Sequence, residues 1–157
     1  MMIWEVVTIF GDWSLWVVIS LFSIVFSFLT PKKMKKRVIY LSFSILSAVI
    51  ISSAIVYGMK LLFKTSRPCL GLSYCPESYS FPSNHAAVIF AVVTTSAFYI
   101  KDKRFSLLLF GFAALVALSR LMLNVHRLED VLVGCLIGII IGIIIKKYSK
   151  TIENIVG

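Results

Sequence analysis

Ser119-Arg-Leu-Met-Leu-Asn-Val-His-Arg-Leu-Glu-Asp130 leads directly into an apolar run that continues through Ile145, and a second apolar run, Phe105 to Leu118, precedes it. Arg120, His126 and Asp130 thus fall together between two stretches of membrane-like composition. Charge there is costly unless it is paired or used. If the following helix begins near His126, Asp130 lies one turn further on the same face and can accept a hydrogen bond from one imidazole nitrogen. The other nitrogen is then free to act, which is what a histidine nucleophile or base requires. The competing reading is an interfacial cluster of helix-end charges.

With the three apolar runs further upstream, the two that flank this stretch predict an all-α membrane bundle of five spans. They are Trp13 to Thr30, stopped by Pro31; Val38 to Phe63; Ser83 to Ile100; Phe105 to Leu118; and the run from about Leu128 to Ile145. Positive charges follow the first run and no small-residue cleavage site ends it, so a cleaved signal peptide is not expected. Residues 1–12 are apolar but broken by Glu5 and Asp12; they lie at the interface, lengthen the first helix or help close a pocket. With 157 residues, 59% hydrophobic and only 15% charged, and a mean hydropathy of +0.96, the chain is expected to be one integral-membrane domain. The formal net charge of +9 does not point to nucleic acid, because the basic residues sit between apolar runs and form no stripe with interleaved aromatics.

Five spans sort the charges by membrane face. Residues 31–37, 101–104 and the tail from 146 share one face and hold eleven of the 16 Lys and Arg. By the positive-inside rule that face and the C-terminus are cytoplasmic, and the N-terminus is outside. Lys60, Arg67, Ser83, His85, Arg120, His126 and Asp130 all fall on the outer face, at four helix ends that can converge on one pocket. Separately, Lys60 has a bland reading as a snorkelling lysine and His85 as a structural histidine. Independent residues of that kind have no reason to choose one side. Cys69 and Cys75, six positions apart in the outer loop, are expected to form a disulfide. Gly134, Gly138 and Gly142 recur every four residues and predict close helix packing, within the chain or between chains.

Arginines, a lysine and the backbone N–H groups of a helix beginning at Pro82-Ser83-Asn84-His85 make an anion site, and two histidines supply a nucleophile and a proton donor. Phosphoryl transfer needs chiefly such positioning and charge stabilisation. No metal or other cofactor is expected, since Glu129 and Asp130 are the only nearby acid pair and adjacent helical residues point apart.

Lys60 and Arg67-Pro68, the Pro82–His85 segment, and Ser119-Arg120 with His126 and Asp130 together resemble the three motifs of the type 2 phosphatidic acid phosphatase superfamily. These are integral-membrane lipid phosphatases related to vanadium haloperoxidases, and the resemblance runs from about residue 55 to 145. It implies His126 as nucleophile, Asp130 as its orienting partner, His85 as general acid, and Lys60, Arg67, Ser83 and Arg120 as phosphate ligands. Asn84 stands where the family usually has glycine; it keeps the backbone donor and implies a slightly altered phosphate cradle. Family members often have six spans, so five makes a homo-oligomer an expectation. The leading functional expectation is a metal-independent phosphatase acting on a membrane lipid, for which an outward site favours a polyprenyl diphosphate. Phosphatidate or phosphatidylglycerophosphate phosphatase and lipid phosphotransferase are the enzymatic alternatives. A non-catalytic anion-binding membrane protein is the alternative of a different class.

Overall fold

The computed structural model describes residues 2–100 and 102–156, and Lys101 of the expected polar turn lies outside them. Every regular element among the described residues is helical. In order they are α1 (Met2–Thr8), a 3-10 turn (Ile9–Gly11), α2 (Trp13–Phe26), a second 3-10 turn (Ser27–Leu29), α3 (Lys32–Phe63), α4 (Asn84–Ala97), α5 (Lys103–Met122) and α6 (Leu128–Val156).

Three stretches, Met34–Phe63, Lys103–Met122 and Leu128–Ser149, are long and apolar enough to cross a bilayer, and the pair Ile3–Gly11 and Trp13–Leu29, bent by 58°, makes a fourth if taken as one span. The third expected span is shorter than its apolar run. The helix stops at Ala97, where Tyr99 N–H and Ile100 N–H turn back to the carbonyls of Ser96 and Ala97. Its 14 residues cover about 21 Å at 1.5 Å per residue, less than a typical hydrocarbon core. A short helix is tolerated here because α4 is the hub of the bundle and its ends meet protein rather than lipid. Ala86, Ala87, Val88, Ile89, Ala91, Val92, Val93, Thr94 and Thr95 are all buried.

The other helices pack around that hub. Val88 and Val92 meet Val49 of α3 with Trp16 and Val17 of α2; Ile89 and Val93 meet Ala113 and Val116 of α5; Ala91 meets Ala48 and Ile141. The recurring glycines of α6 serve this packing within the chain. A Cβ at Gly134 would clash with the Ser83 carbonyl, one at Gly138 with the Ala87 carbonyl, and one at Gly142 with the Thr94 side chain. The outer surfaces of α5 and α6 present Leu107, Leu108, Leu132, Leu136 and Ile140, all exposed, as a lipid-facing coat requires.

The two ends of the bundle differ. At one, the Tyr99 hydroxyl hydrogen-bonds Ser44 Oγ (3.0 Å) and Ser149 Oγ (2.7 Å), tying α3 and α6 together. The other end gathers the C-termini of α3 and α5, the N-termini of α4 and α6, and the loop 64–83.

Candidate active site

The loop between α3 and α4 is folded down onto the end of the bundle by its own polar groups. Lys64 closes α3 in the left-handed region (φ 46°), and the rings of Phe63 and Phe81 meet edge to face at 5.1 Å. A disulfide joins Cys69 to Cys75, with Cα atoms 5.5 Å apart. Lys60 donates to the carbonyls of Tyr79 and Ser80. Arg67 donates through Nε to Ser78 O (2.7 Å), through Nη2 to Ser78 Oγ (2.9 Å) and through Nη1 to Val125 O (2.8 Å). Both cations therefore satisfy carbonyls of irregular backbone that would otherwise be left unpaired at the edge of the membrane.

His126 sits in the turn between α5 and α6, two residues before the helix rather than on it. Asn124, at φ 53°, reverses the chain there, and Arg127 N–H donates to Asp130 Oδ2 at 2.9 Å. Asp130 still reaches back: its Oδ2 lies 3.4 Å from His126 Nδ1 and also accepts from the Ser80 hydroxyl. On the other edge of the ring, Nε2 is 3.1 Å from Arg67 Nη1. A guanidinium has donors only, so Nε2 must be the acceptor and the ring proton is on Nδ1, facing the carboxylate. His126 and Asp130 are 4% and 1% exposed.

Ser83 caps α4: its side chain accepts from Ala86 N–H (3.5 Å), while its own N–H donates to the Asp130 carbonyl (2.9 Å). That bond locks the start of α4 to the start of α6. Asn84 and His85 follow in the first turn, half-buried, with His85 in electrostatic reach of Arg120 and His126. Arg120, from the last turn of α5, donates through Nη1 to Thr8 Oγ1 at 2.5 Å. Among the described residues, Arg120 Nε and Asn84 Oδ1 are buried without a hydrogen-bond partner. A cavity of about 320 Å³ is lined by Arg120 with Glu5, Tyr74 and Leu123. Another, of about 260 Å³, has Lys60 and Asn84 among its lining residues, with Trp13, Val56 and Tyr57.

Every residue expected at the site thus lies at this end of the bundle. The sequence reading missed Ser80, a fully buried partner of Asp130, and Thr8. Neither carried a signal, since a serine in a polar loop and a threonine in an apolar segment are ordinary.

Burial pulls the His126 imidazole down to about 4 from the usual 6.5; the hydrogen bond it donates to Asp130 works against that, and the positive charge of Arg67 adds to it. Burial likewise lowers Arg67, partly offset by Asp130. With His126 neutral at pH 7, the buried charges among the described residues are Lys60, Arg67 and Arg120 against Asp130 alone. Uncompensated buried charge is costly. The excess is about +2, close in size and opposite in sign to the charge of a phosphate monoester dianion near neutral pH.

A sequence model of the PAP2 superfamily matches residues 37–153. Among solved structures, a PAP2-type phosphatidylglycerolphosphate phosphatase from Bacillus subtilis superposes with a TM-score of 0.80 at 21% identity, covering 96% of this chain and 77% of that one. LpxE from Aquifex aeolicus gives a TM-score of 0.72 at 28% identity, covering 94% of this chain and 85% of that one. No curated protein matches the chain. The match over three-quarters of the sequence places the chain in the PAP2 superfamily. It is an integral-membrane phosphatase of the lipid-phosphate type.

Proposed function

We propose that the protein removes the terminal phosphate from a membrane lipid by way of a phosphohistidine on His126, without a metal. The buried charge excess of about +2, next to an imidazole whose unprotonated nitrogen faces Arg67, is the observation that carries this reading. Lys60, Arg67 and Arg120 hold the phosphate oxygens, with the N–H groups at the start of α4 aimed at the same anion. Once Arg67 Nη1 turns its N–H from Nε2 to a phosphate oxygen, the freed Nε2 lone pair attacks phosphorus, and the P–O bond to the lipid breaks as His85 gives the departing oxygen its proton. Water then attacks the phosphohistidine, loses a proton to His85, and releases inorganic phosphate. Asp130 keeps the ring proton on Nδ1 and stabilises the cationic ring that forms.

The distribution of Lys and Arg supports an outward site and N-terminus, with the C-terminus cytoplasmic. An outward site favours a polyprenyl diphosphate, whose spent carrier is exposed on that side. The testing experiment is phosphate release in detergent with EDTA present, from a polyprenyl diphosphate, phosphatidate, phosphatidylglycerophosphate and a soluble ester, for wild type and His126→Ala. Selective release from the polyprenyl diphosphate, lost by about 10³-fold or more in His126→Ala, is the expected result. Inhibition by EDTA reversed by a divalent ion rejects the metal-free mechanism, and release from phosphatidylglycerophosphate alone reassigns the substrate.

A further inference from the structure

The segment ahead of α2 is N-terminal to the family-matched region, yet it touches two residues of the site. Thr8, the last residue of α1, accepts from Arg120 Nη1 at 2.5 Å. Gly11 packs its bare Cα against His85, so that a Cβ built there would stand 2.7 Å from His85 Cβ and 2.9 Å from Cδ2, closer than real side chains approach. The segment is also fastened where it lies. Trp16 Nε1 donates to Phe10 O at 2.7 Å, the Phe10 and Phe112 rings meet edge to face at 5.1 Å, and Val7 joins the apolar cluster around Ile89 and Val116. Asp12 sets the 58° bend by capping α2, accepting from Ser14 N–H at 2.8 Å.

We infer that residues 8–11 form a working wall of the phosphate site, in which Thr8 positions Arg120 and Gly11 fixes where the His85 ring stands. This rests on the roles proposed above for Arg120 and His85. Among the described residues the Arg120 side chain has one hydrogen bond, to Thr8, and a buried Nε without a partner. Thr8 is thus what aims the guanidinium, leaving Nε to meet a phosphate oxygen. Gly11 is required for a different reason: any side chain there pushes the imidazole away from the oxygen it must protonate. Both are positioning residues, since each acts through another.

The two roles have separate signatures. In Thr8→Val, which keeps the shape and loses the hydroxyl, KM for a lipid phosphate should rise by about tenfold, as for loss of one hydrogen bond to a charged group, and Thr8→Ser should restore it. In Gly11→Ala, kcat should fall about tenfold or more on an alkyl phosphate that needs a proton on its leaving oxygen. It should fall much less on an aryl phosphate whose leaving group departs as the anion. The variants are compared with wild type and His126→Ala, all purified in detergent and checked for equal thermal unfolding. Wild-type KM in Thr8→Val, or equal slowing of both esters in Gly11→Ala, overturns the inference while an inactive His126→Ala leaves the site reading standing. An active His126→Ala overturns the site reading itself.

Discussion

Arg67 Nη1 lies 3.1 Å from His126 Nε2, so the cation proposed to hold the phosphate is in contact with the nitrogen proposed to attack it. The opposite ring nitrogen points at Asp130. Two side chains from distant parts of the sequence thereby fix both the tautomer of the imidazole and the direction from which an anion can approach it.

Asp130→Asn tests the tautomer. The amide keeps the volume but loses the charge, and can present its N–H to Nδ1, which would move the ring proton to Nε2. Phosphate release should fall by about 10³- to 10⁴-fold, as when a carboxylate that holds a catalytic histidine is made neutral. Affinity for inorganic vanadate, held mainly by the three cations, should change much less. Equal losses in turnover and vanadate binding would assign Asp130 to binding instead.

Ser80→Ala asks how much the residue that escaped the sequence reading contributes. Its hydroxyl donates to Asp130 Oδ2 beside Arg127 N–H and His126 Nδ1–H. Removing one leaves the carboxylate less restrained, at a cost of about 1–3 kcal/mol, so kcat/KM should drop roughly 5- to 100-fold. Steady-state kinetics that match wild type would show the hydroxyl to be dispensable.

What the sequence disclosed followed from what membranes penalise. Lys60, Arg67, Arg120, His126 and Asp130 stand out because charge at the ends of apolar runs is costly, and the alternation of spans assigns all of them to one end of the bundle. Ser80 and Thr8 bear no charge, and no periodicity marks them. Their roles follow from a folded-back loop and a bent helix that hydropathy does not encode. The glycines of α6 announced a close approach, but only three-dimensional packing shows that the partner is α4. The last run does begin at about Leu128, as its composition suggests, and what hydropathy does not mark is the left-handed Asn124 that turns the chain just ahead of it.

The pH profile follows from burial. His126 must be neutral to attack, and its imidazole is held at about 4, so the acid limb of kcat/KM should fall near pH 4 once the substrate's own ionisation near pH 6 is allowed for. Stability has the same origin. The unfolded chain takes up a proton on this histidine near pH 6.5 and the folded chain does not until about pH 4, so thermal stability in detergent should decline as pH falls through that interval and level off below it. A Tm independent of pH in wild type, or a decline as large in His126→Ala as in wild type, would remove His126 as its source.

Gly138→Ala probes how the fold holds the site together. Gly138 has no catalytic partner, but a Cβ there would stand 2.8 Å from Ala91 N and closer still to the Ala87 carbonyl. Both atoms belong to the α4 backbone and cannot swing aside as a side chain would. The two helices must separate, and overpacking of this kind costs about 1–3 kcal/mol. The separation should also reach the site, because Ser83 N–H is bonded to the Asp130 carbonyl across the same interface. Tm and kcat should therefore fall together in Gly138→Ala, whereas Leu136→Ala, on the exposed side of α6, should change neither appreciably. A Gly138→Ala protein with lowered Tm and full turnover would mean that the start of α4 is held by the outer loop and not by its seam with α6.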